Sequence, residues 1–103
     1  MKKIEAVISA AKLAEVKSGL SGIGINRMTL LEAKTWVRER ARPLVFRGTE
    51  YMVDVSPVLK IEVVVEEERA EEAVEIIARA TETGEGEVYV SAVESGRGMV
   101  MVH

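Results

Sequence analysis

Apolar residues alternate at the start of the chain. Ile4, Ala6 and Ile8 fall on one side of a two-residue period, and Val7 makes the end of the run continuously apolar. That pattern predicts a strand from Lys2 to Ile8, buried on at least part of both faces. Ser9 follows, with a hydroxyl placed to satisfy an orphan N–H at a helix start. Leu13, Val16, Leu20 and Ile23 then recur at spacings of three, four and three, the stripe of an amphipathic helix. Gly19, Gly22 and Gly24 loosen its end, so a C-cap is expected at Gly22 or Gly24. Met28 to Ala33 is short and apolar enough for a second strand.

The character then changes. Residues 36 to 50 show no period of 2 or 3.6 and hold Pro43, Gly48, four arginines and two aromatics. A long loop is expected there, and long loops in small domains are commonly functional or disordered. Tyr51 to Val55 resumes extended character, and Pro57 reads as a break. Leu59 to Glu66 carries Ile61 and the β-branched run Val63-Val64-Val65, a strand. Helical spacing returns at Ala70, Ala73, Val74, Ile77 and Ala80. Gly84-Glu85-Gly86-Glu87 reads as a tight turn, and Val88-Tyr89-Val90 opens another strand toward Val93. Gly96 and Gly98 flank a second turn before a short terminal strand over Met99 to Val102.

The resulting order is strand, helix, strand, long loop, strand, helix, strand, short strand. Two βαβ-like halves in one domain over 1–103 predict an α+β, ferredoxin-like βαββαβ sandwich with both helices on one sheet face. The strands read as apolar on both sides, most of all Val63 to Val65. A chain of 103 residues cannot cover both faces alone, so a homo-oligomer is expected.

Composition narrows the function classes. The chain is 48% hydrophobic and 30% charged, with a net charge of -3, which argues against disorder. No apolar run reaches the ~18–20 residues that span a bilayer. Met1-Lys-Lys followed by Glu5 does not read as a signal peptide. With no cysteine, disulfides and thiolate metal sites drop out, and a cytoplasmic location is expected. The charge is uneven. Lys34 to Arg47 holds five basic residues against Glu39, while Glu62 to Glu87 holds ten glutamates against Arg69 and Arg79. The acidic stretch reads first as a solvated helix face. The acidic total also argues against nucleic acid as the main partner.

Catalysis finds little to use. The sole histidine is His103, and Ser9, Ser18, Ser21, Ser56, Ser91 and Ser95 have no general base at a recognisable spacing. Glu67, Glu68, Glu71, Glu72 and Glu75 share a polar helix face that would hold a metal weakly and without selectivity. An enzyme is not expected. The glycines of Thr83 to Glu87 would let backbone N–H groups approach an anion, yet the flanking glutamates repel phosphate; a plain turn is favoured. The segment from Lys34 to Tyr51 offers more. Its arginines suit carboxylates or phosphates, and its aromatics are types enriched at interface hot spots. Composition alone leaves two readings level: a loop inserted into a partner, or an excursion packed on its own assembly.

Motifs along nearly the whole chain separate them. Met1-Lys-Lys-Ile-Glu-Ala-Val-Ile8, Lys12-Leu-Ala-Glu-Val-Lys17 and Gly24-Ile-Asn-Arg-Met-Thr29 open the match. Phe46-Arg-Gly-Thr-Glu-Tyr-Met-Val-Asp54, Pro57 and Lys60-Ile-Glu-Val-Val-Val65 form its most specific block. On these residues the chain resembles the PII signal-transduction family, as a divergent member. The resemblance implies a trimer of ferredoxin-like subunits whose protruding T-loops, here residues 36–55, contact target proteins: a transporter, an enzyme or a regulator. Arg47, Glu50 and Tyr51 would stand at the loop tip. In many members the tyrosine matching Tyr51 is reversibly uridylylated or similarly modified, and a bulky anion there would block docking by charge and size.

The resemblance also implies an adenine-nucleotide site between subunits, with Thr29, Glu62 and Val64 around the base and Arg38, Gly84 and Gly86 toward the phosphates. Here the departures begin. Thr35 and Val37 stand where the loop base usually has glycines. Glu39 replaces the glutamine that holds magnesium and 2-oxoglutarate, and Val58 replaces a lysine that pairs with 2-oxoglutarate. The phosphate turn is shortened, Glu87 replaces its lysine, and the paired arginines near the C-terminus have no counterpart, Arg97 being the only lysine or arginine after Arg79. Each lost charge-assisted hydrogen bond is worth ~1.5–3 kcal/mol, so losing three weakens triphosphate binding by orders of magnitude. The expectation is no 2-oxoglutarate site, no metal site, and binding of ATP, ADP or AMP that is weak or shifted toward a less charged adenine ligand. The other class of reading is a ferredoxin-like trimer of the divalent-cation-tolerance type, with no nucleotide sensing. RNA binding on a bare sheet is disfavoured, because the strands lack stacking aromatics.

Overall fold

The computed structural model describes residues 1–38, 42–46, 48–53, 55–81 and 86–97, with 42–46 and 49–53 given as backbone. Strand β1 runs Lys2–Ile8, as its alternation predicts, with Ile4, Ala6 and Ile8 buried. The Ser9 hydroxyl accepts the Ala11 N–H at 3.4 Å and starts a short 3-10 turn, Ala10–Lys12. Helix α1, Leu13–Gly22, follows directly and buries Val16 and Leu20. Its end is a Schellman motif: Ile25 N–H donates to the Leu20 carbonyl at 2.9 Å, and Gly24 N–H to that of Ser21 at 3.0 Å. Gly24 makes this closure with φ +84, and an added Cβ would lie 3.2 Å from the Arg69 guanidinium. Gly24→Ala should therefore lower unfolding free energy by about 1–2 kcal/mol, read by urea denaturation. An unchanged midpoint would contradict the cap assignment.

Four strands carry the middle of the chain: β2 (Thr29–Trp36), β3 (Arg42–Phe46), β4 (Thr49–Val53) and β5 (Val55–Val65). Helix α2 (Glu67–Ala80) and β6 (Glu87–Ala92) complete the described elements. The main sheet has the order β2-β5-β1-β6 and every neighbour is antiparallel. β1 and β2 thus run parallel with β5 between them, a split βαβ arrangement consistent with a ferredoxin-like fold. Ile4, Ala6, Ile8, Leu59, Ile61, Val63 and Val65 line one sheet face and meet Val16, Leu20, Ala70, Ala73 and Ile77 from the helices in one core.

Three expectations need correction. The segment expected as a long loop contains a second sheet, in which β3 and β4 pair antiparallel from Arg42 opposite Val53 to Phe46 opposite Thr49. Gly48 stands just before β4 at φ +76, the left-handed backbone that a tight hairpin turn needs. Pro43 and the unbroken apolar run Leu44-Val45-Phe46 show no alternation, so no period marked this ladder in the sequence. The strand expected over Met28–Ala33 extends instead to Trp36, paired with Val55. Pro57 does not break the chain; it sits inside β5 opposite Lys34. β1 ends at Ile8 opposite Leu59, so β5 has one neighbour at Pro57, an edge-like position that tolerates a missing N–H. The β2–β5 ribbon thus runs past the rest of the sheet and leads to the hairpin. The chain measures 54 × 32 × 25 Å with a radius of gyration of 16.9 Å, against about 13 Å for a compact domain of this size. Gly98 and the short terminal strand over Met99–Val102 lie outside the described residues.

Candidate functional site

The helices leave the other sheet face open. Lys3 and Glu5 from β1, Lys60, Glu62 and Val64 from β5, Thr29 and Leu31 from β2 and Tyr89 from β6 share it by register. This corrects the expectation of strands apolar on both sides. The middle of the open face is charged, and the exposed apolar groups Leu31 (45%), Val64 (57%) and Tyr89 (59%) surround that centre. Glu5 lies directly opposite Glu62, a like-charge pair that would destabilise the ladder alone. Lys3 meets Glu5 at 3.0 Å and Glu62 at 3.6 Å, while Lys60 meets Glu5 at 3.5 Å and Glu62 at 3.7 Å. The four groups close a ring of alternating sign. The hydrogen bond from Lys3, then the charge of Lys60, hold the Glu5 carboxyl below the usual glutamate range. The same hydrogen bond to Glu5, then the charge of Glu62, raise Lys3. Sequence periodicity could not reveal this ring, because two alternating charged pairs on adjacent strands meet only once register is known.

One end of that face deepens into a cavity of ≈ 450 Å³, within the ~300–1,000 Å³ range of ligand pockets. Thr29, Glu62 and Val64 all line it, so three of the expected nucleotide residues converge. Register explains how: Thr29 pairs with Glu62, and Val64 lies two residues further along β5 on the same face. The chain after β6 closes the rim, with Val93 N–H donating to the Met1 carbonyl at 3.1 Å. Arg27, Met28 and Arg97 also line the cavity, and none of them was singled out from the sequence as a ligand residue.

The other expected ligand residues are elsewhere. Gly86 stands at the start of β6, where an added Cβ would lie 3.1 Å from the Val7 carbonyl oxygen. Close approach to β1 therefore requires this glycine whatever the turn binds. Val7 is four residues along β1 from Lys3 at the cavity, about 13 Å of strand. Arg38 is exposed and follows the far end of β2, nine residues beyond Thr29. Thr29, Glu62 and Val64 thus sit at one end of the strands, and Gly86 and Arg38 toward the other. Glu87, beside Gly86, accepts the Tyr89 hydroxyl at 3.2 Å, which raises the tyrosine. Gly84, Glu39 and Arg47 lie outside the described residues, as do the side chains of Glu50 and Tyr51.

A second cavity, ≈ 670 Å³, opens where the β2–β5 ribbon leaves the sheet. Ser9, Ala10, Lys34, Pro57 and Val58 line it. No group of three or more potential metal ligands occurs among the described residues. Among them, no helix is long and apolar enough to cross a membrane.

Comparison with known proteins follows the same outline. A family model described as nitrogen regulatory protein P-II matches residues 1–98. The P-II protein of Azospirillum brasilense is 45% identical over 97 residues, covering 91% of this chain and 87% of its own length. That of Rhizobium meliloti (strain 1021) is 44% identical over the same span, with the same coverage of each chain. A Haemophilus influenzae P-II protein is 42% identical, again over 91% and 87%.

Proposed function

Because the chain belongs to the nitrogen regulatory protein P-II family, we propose that it is a cytoplasmic, non-enzymatic homotrimer that regulates a target protein through its hairpin. The observation that carries this reading is the ribbon of β2 and β5 extended by the β3–β4 hairpin, at the positions matching the family's output loop. A paired ribbon presents its tip at a fixed distance from the body, which suits contact with a transporter, an enzyme or another regulator. Arg47, Glu50 and Tyr51 are the contact residues, and Tyr51 is the candidate for modification by a bulky anionic group.

The open face supports assembly. Leu31, Val64 and Tyr89 are exposed in the single chain, and a threefold contact would cover them around the paired charges. Assembly would also complete the nucleotide site. One chain supplies Thr29, Glu62 and Val64, and its neighbour supplies Arg38, Gly84 and Gly86 from the opposite strand ends. The input side is altered: ATP, ADP or AMP binds weakly, and Glu39 and Val58 leave 2-oxoglutarate without its partners. Co-purification with the intact chain and with a chain lacking residues 42–53 tests the output side. The shortened protein should keep its oligomeric state and lose its partner; an unchanged partner set would remove the hairpin from the mechanism.

A further inference from the structure

The cavity at the root of the β2–β5 ribbon belongs to neither the hairpin nor the nucleotide residues. It opens where β1 has ended at Ile8, and Ser9 and Ala10, at the start of the helical segment, form part of its lining. Register gives its face. Glu32 pairs with Leu59 and Lys34 with Pro57, and Leu59 belongs to the core beneath the helices, so these four share the helix side of the sheet. Thr29, Glu62 and Val64 share the opposite side. The volume, ≈ 670 Å³, lies within the ~300–1,000 Å³ range of small-molecule sites.

Ala10, Pro57 and Leu59 give the cavity apolar walls, and Glu32 and Lys34 give it one charge of each sign. The two charged residues are two positions apart on one strand, ~7 Å between their Cα atoms. Neither forms an ion pair among the described residues, with the other or with any third group. The charges of the open face behave differently, since Lys3, Glu5, Lys60 and Glu62 all pair. An anion and a cation held apart over an apolar cavity match a ligand with the opposite charges at short spacing and an apolar remainder. A free α-amino acid has that form, with ammonium and carboxylate on one carbon. A dicarboxylate would set one negative end against Glu32, and a peptide separates its two termini. We infer that this cavity binds a free amino acid with an aliphatic side chain. Its ammonium lies on Glu32, its carboxylate on Lys34, and its side chain against Ala10, Pro57 and Leu59. The inference stands apart from the nucleotide reading and gives the ribbon a second input at its root.

Trp36, the sole tryptophan, lies two residues beyond Lys34 on the same face and is exposed, so its emission reports on the site. Calorimetry and Trp36 fluorescence with L-leucine, 4-methylpentanoate, 3-methylbutylamine and 2-oxoglutarate, on the intact chain, Glu32→Gln and Lys34→Gln, test it. Both substituted positions are exposed, so the variants should fold, which circular dichroism checks. Leucine should bind saturably and change the emission, and the two analogues lacking one charge should bind about tenfold or more weakly. Glu32→Gln should weaken leucine about tenfold without weakening 4-methylpentanoate, and Lys34→Gln should weaken leucine equally without weakening 3-methylbutylamine. Absence of leucine binding overturns the assignment, as does leucine affinity indifferent to both substitutions. Either analogue or 2-oxoglutarate binding as tightly as leucine overturns it too.

Discussion

Glu87→Lys is expected to tighten ATP binding by about tenfold and to leave adenosine binding nearly unchanged. Glu87 is exposed at the start of β6, beside the glycine packed against Val7, and its carboxylate is held by the Tyr89 hydroxyl at 3.2 Å. On the proposed placement of the phosphates at this turn, substitution removes a negative charge facing them and adds a donor in its place. A charge-assisted hydrogen bond contributes ~1.5–3 kcal/mol, or roughly 10–150-fold in affinity. Solvent exposure keeps the expected gain at the low end of that range. Adenosine carries no phosphate and gains nothing from the added charge. Calorimetric titration of ATP and of adenosine into both proteins decides it. Equal gains for adenosine and ATP, or no gain for ATP, would contradict a phosphate position beside Glu87.

The second large effect concerns assembly. Leu30 and Leu31 are adjacent, equally exposed at 45%, and point to opposite faces of the sheet, since Leu30 pairs with buried Ile61 and Leu31 with Lys60. If the open face is the trimer contact, Leu31→Glu places an unpaired carboxylate in a buried interface, at a cost of several kcal/mol per copy. Leu30→Glu leaves that face untouched. Light scattering should give about 34 kDa for the intact protein, three times the 11.3 kDa chain, and for Leu30→Glu. Leu31→Glu should fall toward 11.3 kDa. The reverse pattern, with Leu30→Glu dissociated and Leu31→Glu intact, would move the interface to the helix-side edge of β2.

Much of the fold was legible because burial imposes period. Ile4, Ala6 and Ile8 alternate since one face of β1 meets the helices, and Ala70, Ala73 and Ile77 recur because one stripe of α2 meets the sheet. The hairpin was not legible, since Pro43 and the continuous run Leu44-Val45-Phe46 give no alternation for a period of two to reveal. Pro57 misled for a related reason: a proline argues against a central strand, and β5 is central only where β1 reaches it. Of the candidate site, the resemblance supplied Thr29, Glu62 and Val64, and strand register then brought them to one cavity. Arg27 and Arg97 carry no pattern of their own. They are distant in sequence, and the closure of the chain after β6 onto Met1 puts them on the same rim.

The account turns on one claim, that a P-II framework here keeps its output arm while its input is altered. Titration of ATP in the presence of magnesium, with and without 2-oxoglutarate, tests that claim most directly. Weak ATP binding that 2-oxoglutarate leaves unchanged is the predicted result. Micromolar ATP binding strengthened by 2-oxoglutarate would contradict it.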